Sequence, residues 1–97
     1  LKMDISRRIV TINDVQISLT PTEYEILRLL LQNAGRVITH RQLLRQVWGT
    51  AYESEMHILR VNISNLRRKI EPDSKRPDLI RTVRNGGYMF TAKVTRS

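Results

Sequence analysis

The run Ser54-Glu55-Met56-His57-Ile58-Leu59-Arg60-Val61-Asn62-Ile63-Ser64-Asn65-Leu66-Arg67-Arg68-Lys69-Ile70-Glu71 sorts its residues by face when wound at 100° per residue. Leu59, Asn62, Ile63, Leu66 and Ile70 fall on one side and can pack inward. His57, Arg60, Val61, Ser64 and Arg68 fall on the other, flanked by Asn65 and Arg67. That outer face mixes cations, a hydroxyl, an amide and one small apolar residue. These side-chain types contact phosphates, base edges and thymine methyls in a major groove. An ordinary solvated helix face alternates Glu with Lys, whereas here the acids, Glu55 and Glu71, stand only at the ends.

Working outward, Thr20-Pro21-Thr22-Glu23 is a helix start. Thr20 caps, Pro21 loses no hydrogen bond at the first helical position, and Glu23 completes a capping box. Tyr24, Leu27, Leu30 and Leu31 then repeat at helical spacing, with Gly35 expected to end the helix. A second box, Thr39-His40-Arg41-Gln42, opens a helix carrying Leu43, Leu44, Val47 and Trp48 before Gly49. Residues 49–53 are expected to be a loop, with the third helix beginning near Ser54 and Pro72 following its end. On the N-terminal side, residues 2–5, 8–12 and 15–18 alternate as three short strands, turning at Ser6-Arg7 and Asn13-Asp14. On the C-terminal side, residues 79–84 and 88–94 form two strands joined by Asn85-Gly86-Gly87, a hairpin signal because glycine tolerates positive φ. The expected class is therefore α+β: a helix-turn-helix with an N-terminal antiparallel sheet, three helices and a C-terminal β-hairpin wing, in one domain over residues 1–97.

Charge and composition agree with a polyanionic partner. Seventeen Lys and Arg against nine Asp and Glu give a net charge of +8, and ten of the basic residues lie within residues 54–97. Nucleic acid leads, and an anionic membrane surface is second. With 97 residues, of which 40% are hydrophobic, the chain can bury one core. The absence of cysteine excludes disulfides and thiolate metal sites and fits a cytoplasmic protein. No apolar run spans a membrane, no signal peptide is visible, and the missing initiator methionine fits a piece of a longer protein or a processed terminus.

Several stretches resemble the effector domain of the OmpR/PhoB family of bacterial response regulators. They are Leu19-Thr20-Pro21-Thr22-Glu23-Tyr24 with Leu27 and Leu30, Gly35-Arg36-Val37, Arg41-Gln42-Leu43-Leu44, Val47-Trp48-Gly49, the run from Val61 to Glu71, and the run from Ile80 to Tyr88. Their order along almost the whole chain makes the set specific. His57-Ile58-Leu59-Arg60 is also similar to the KdpE branch, which implies control of a potassium-uptake operon. The resemblance implies a winged helix whose N-terminal sheet has a fourth strand near Val37 or in the loop before it. It further implies a receiver domain, absent from this chain and phosphorylated by a sensor kinase, and dimers seated on direct repeats of double-stranded DNA. No cofactor or metal is expected.

Arg67 and Arg68 are candidate groove or phosphate contacts, weighed against a helix end whose cations merely complement the dipole. The resemblance makes Asn65 a base reader, a role its amide can fill on adenine. Arg60 stands where an acid is frequent and Ser64 where a cation often appears, which implies altered sequence preference. Val61 packs on a thymine methyl or is a tolerated exposed residue, and His57 is a phosphate contact. His40 and Arg41 stand at a helix start, where free N–H groups attract phosphate. Arg84 is implied to reach a minor groove from the wing, with Asn85 in place of the usual glycine. Thr82 and Tyr88 bond sugar or phosphate, or Tyr88 is core with only its hydroxyl at the surface. Tyr52 and Glu53 lie in the loop implied to touch RNA polymerase.

Other classes fit less well. His40 and His57 sit on separate elements and the acids are scattered, so no catalytic set emerges. A single-stranded RNA reader would stack bases on aromatics, yet three of the five aromatics (Tyr24, Trp48, Phe90) are claimed by packing. A module that docks an acidic protein on the basic helix is the third alternative.

Overall fold

Two threonines start two helices by the same local chemistry. The computed structural model describes residues 1–91. In it Thr20 accepts a hydrogen bond from the N–H of Glu23, whose carboxylate accepts from the Thr20 N–H in return. Thr39 and Gln42 repeat the exchange. The helices so begun are α1 (Pro21–Gln32) and α2 (His40–Trp48). A short 3-10 turn at Thr50–Tyr52 occupies the expected loop and leads to α3 (Met56–Ile70). Strands β1 (Lys2–Asp4), β2 (Ile9–Ile12) and β3 (Val15–Ile17) precede α1, β4 (Val37–Thr39) lies between α1 and α2, and β5 (Ile80–Val83) and β6 (Gly87–Phe90) follow α3. The α+β, winged helix-turn-helix order expected from sequence is the order observed.

The sheets differ from expectation in one respect. The first is β1-β2-β3, antiparallel and three-stranded, closed between β2 and β3 by Asn13 and Asp14, both at positive φ as a two-residue hairpin requires. The extra strand near Val37 is present as β4, but it does not join that sheet. It pairs with β6, giving a second sheet of order β4-β6-β5 with Ile38 opposite Tyr88 and Thr82 opposite Tyr88 from the other side. The cause lies in the α1 exit. Asn33, not Gly35, closes the helix, its side-chain and backbone N–H groups both donating to the Leu29 carbonyl. Gly35 then turns the chain at φ +82° and donates to the Phe90 carbonyl, which delivers β4 to the wing.

Two other bounds moved. α3 starts at Met56 rather than near Ser54, with Glu55 at the cap and no side-chain capping bond among the described residues. At the wing tip the positive φ angles fall on Asn85 and Gly87 rather than on Gly86, and the Gly86 N–H closes the turn on the Val83 carbonyl. The part of the expected last strand over residues 92–94 lies outside the described residues.

The core lies between the helices and the inner faces of both sheets. Leu59, Ile63, Leu66 and Ile70 of α3 are buried with Ile26, Leu27 and Leu30 of α1, Leu43 and Leu44 of α2, Val10 of β2 and Ile80 of β5. Each fully buried aliphatic of this kind contributes about 1.5–3 kcal/mol by leaving water. Asn62, expected inward, is half-buried and satisfies its amide on the Ile58 carbonyl one turn back. Leu31, Val47 and Trp48 are partly buried around this core. No helix among the described residues is long and apolar enough to cross a membrane.

Candidate nucleic-acid interface

Burying one side of α3 fixes what the other side offers. His57, Arg60, Val61, Ser64 and Arg68 are all exposed, and Asn65 is half-buried at their edge. With Asn65 they line a shallow hollow of about 370 Å³. Val61 keeps 43% of its surface exposed, so an apolar contact is available in the middle of a cationic row. Arg68 donates from Nη1 to the Asn65 Oδ1 at 3.3 Å, which occupies the amide oxygen and leaves Nδ2 available.

A second cleft, of about 450 Å³, runs between the C-terminal half of α3, the following turn and the wing. Arg60, Ser64, Arg67, Arg68 and Tyr88 line it together with Ser74 and Lys75. Ser74 and Lys75 were missed by sequence reasoning. The signal was the polar turn at residues 72–77, whose Lys75-Arg76 pair follows a basic helix.

Arg67 is turned toward the protein's own wing. Its Nη2 donates to the Ile80 carbonyl and to Thr82 Oγ1, both at 2.9 Å. The guanidinium carbon stands 5.6 Å from the centre of the Tyr88 ring, and Nε is buried with no partner among the described residues. The Thr82 hydroxyl is thereby engaged within the chain. Tyr88 is 5% exposed, which makes it chiefly a core residue.

On the other side of Tyr88, the His40 ring meets it edge-on, with centroids 5.2 Å apart and planes at 86°. Burial, with the Arg60 cation as a second cause, holds the His40 imidazole below its ordinary pKa. Arg41 beside it is exposed. Arg84 is exposed on the three-residue wing turn, followed by the exposed Asn85 at φ +60°. Tyr88 thus joins the start of α2, the outer face of α3 and the wing on one side of the molecule.

Other predicted residues stand apart from this surface. Tyr52 is exposed on the 3-10 turn, while Glu53 is held by Arg45 of α2 at 3.2 Å. Lys69, adjacent in sequence to the arginine pair, reaches Glu23 of α1 at 2.6 Å. Glu71 accepts from the N–H groups of Asp78, Leu79 and Ile80, fixing the approach of β5 to the end of α3. Among the described residues no cluster of three or more His, Asp or Glu side chains suits a metal ion.

Comparison with known proteins bears on this surface directly. Residues 14–90 match the family described as "Transcriptional regulatory protein, C terminal". The chain is 41% identical over 88 residues to the KDP operon transcriptional regulatory protein KdpE of Escherichia coli K12, covering 91% of this chain and 39% of that protein. It therefore spans about two fifths of the length of the curated relatives it matches. Among solved structures, it resembles DrrB of Thermotoga maritima, an OmpR/PhoB homologue, with a TM-score of 0.85 and 34% identity over 93% of this chain and 41% of that one. It also resembles the DNA-binding domain of RstA from Klebsiella pneumoniae, solved in complex with the RstA box, with a TM-score of 0.84 and 30% identity over 92% of this chain and 88% of that one.

Proposed function

The chain belongs to the OmpR/PhoB family of transcriptional regulators, whose C-terminal domain it matches, and from that premise we propose that it reads double-stranded DNA as the output domain of a two-component regulator. In this reading α3 enters a major groove with His57, Arg60, Val61, Ser64, Asn65 and Arg68 toward the duplex. Arg84 extends from the β5–β6 wing to the neighbouring minor groove. His40 and Arg41 hold a phosphate at the start of α2, and the Tyr88 hydroxyl borders the sugar-phosphate backbone. The observation that carries the reading is the exposed row on α3, flanked by the Arg84 turn and backed by the buried row Leu59, Ile63, Leu66 and Ile70.

The RstA neighbour, solved on its DNA box, supports duplex DNA as the ligand class. The likeness to KdpE supports a potassium-uptake operon as the target. The length of the relatives supports an N-terminal receiver domain answering a sensor kinase, with residues 1–97 as one cytoplasmic effector domain that pairs on direct repeats. Tyr52 and Glu53, on the connection between α2 and α3, are the proposed contact with RNA polymerase.

Selection from a randomised duplex library tests the reading. Enrichment of one motif, repeated head to tail, is expected. Absence of any enriched motif, together with no affinity for duplex at low ionic strength, would overturn it.

A further inference from the structure

Arg67 is an arginine on the DNA-facing helix that has turned to another task. Its Nη2 uses both hydrogens inside the protein, one on the Ile80 carbonyl and one on Thr82 Oγ1, each at 2.9 Å. The Ile80 peptide is gripped from its other side as well, because its N–H donates to the Glu71 carboxylate at 2.9 Å. Arg67 and Glu71 are one helical turn apart, and the Glu71 N–H itself bonds the Arg67 carbonyl at 2.8 Å. The last turn of α3 therefore clamps one residue of β5 by both its donor and its acceptor. Ile80 is fully buried and its N–H bond to Glu71 is buried with it, so water does not compete readily at that end of the clamp. The guanidinium plane also lies near the Tyr88 ring on β6, which extends the grip to the second wing strand.

We infer that Arg67 is a positioning residue that bolts the wing to the reading helix, so that Arg84 and the α3 face meet the duplex at a fixed separation. This rests on the duplex-reading function proposed above. A guanidinium suits the task because its planar fork can serve two acceptors at once; an ammonium has a single nitrogen on a flexible stem. The consequence is that sequence preference at the wing depends on a residue that touches no base. Register between groove and wing is a geometric quantity, and a hinge between them would let Arg84 sample several steps.

The test uses the 97-residue chain with Arg67→Met, Arg67→Lys and Thr82→Val, and Arg68→Ala as the contrasting variant. Methionine keeps the apolar stem against Tyr88 and removes the donors. Valine keeps the shape of threonine in a strand and removes the acceptor, so the experiment survives if Arg67→Met fails to fold. Titrations against duplexes with A·T or G·C at the wing step, over a range of salt, are combined with residual dipolar couplings of the free protein. Arg67→Met and Thr82→Val are expected to lose at least about fivefold of the A·T over G·C preference at the wing. Preference at the bases under α3 and the salt slope stay unchanged, the double variant is no worse than Arg67→Met alone, and Arg67→Lys does not rescue. The couplings of β5 and β6 should cease to fit one alignment tensor with α3. A salt slope flattened as in Arg68→Ala, or rescue by lysine, makes Arg67 a phosphate contact and overturns the clamp. If the wild-type chain binds no duplex, the DNA reading fails, and unchanged couplings in Arg67→Met then overturn the clamp separately.

Discussion

A methyl group added at Gly87 would collide with the backbone of Ile38 and Thr39, and the residue sits at φ +148°, a conformation L side chains rarely adopt. Both obstacles have one cause. β6 is the middle strand, and Gly87 lies opposite Thr39 of β4. Gly87→Ala should therefore lower unfolding free energy by at least about 3 kcal/mol, read by urea denaturation. A loss below roughly 1 kcal/mol would mean that β4 can move aside. His40 gives a second prediction at this scale. Its imidazole, held below its ordinary value of 6.5 by burial and then by Arg60, meets the Tyr88 ring at nearly a right angle. The unfolded chain thus takes up a proton as pH falls through 6.5, while the folded chain takes it up later. Stability is lost progressively between those two values and is unaffected by this group above the higher one. Thermal melts from about pH 7 to about pH 5 should show the wild type falling relative to His40→Gln. Parallel curves would remove His40 from the acid response.

At the scale of elements, α3 has no side-chain cap at its start yet is held firmly at its end. Lys69 reaches Glu23 at 2.6 Å, and the same Glu23 oxygen accepts the Thr20 N–H that completes the α1 capping box. One carboxylate, 3% exposed, thus caps α1 and ties it to α3. Glu23→Gln separates the two roles because the amide oxygen still caps while the charge is gone. A loss of about 1–2 kcal/mol is expected, less than for a fully buried pair because Lys69 remains partly solvated. The loss should shrink when denaturation is repeated at high salt, and a salt-independent loss would assign it to capping alone. The pair also marks where sequence reasoning stops. Both capping boxes, the Asn13-Asp14 turn and the inward row of α3 were legible because each is set by neighbours within four residues. The Lys69–Glu23 contact spans 46 positions, and the pairing of β4 with β6 joins segments about as far apart. No local period encodes either. The candidate face was legible for the same reason as the helix, since opposite sides of one cylinder follow from one pattern. The orientation of Arg67 was not, because its acceptors lie on another element.

Of the seventeen basic residues behind the net charge of +8, ten lie in residues 54–97. α3, with 15 residues, is about 22 Å long, and a B-form major groove about 12 Å wide admits a helix of that kind. Around it Arg41, Arg60, Arg68 and Arg84 are exposed, whereas Arg45, Lys69 and Arg67 are committed to Glu53, Glu23 and the wing respectively. Counting cations from sequence would therefore overstate the electrostatic footprint. Each phosphate neutralised releases condensed counterions and contributes about −0.9 to the slope of log affinity against log salt. If these four exposed arginines alone meet phosphates, the slope is roughly −3.6, and Arg68→Ala should bring it to roughly −2.7 on specific and random duplex alike. Anisotropy titrations of a labelled duplex across a range of potassium chloride concentrations measure both. A slope near −6 would mean that further cations join the interface, from the exposed Lys75-Arg76 turn or from internal pairs that open on binding. A slope near zero would detach the basic face from the DNA backbone, because a helix seated in a groove cannot leave its flanking phosphates in full contact with their counterions.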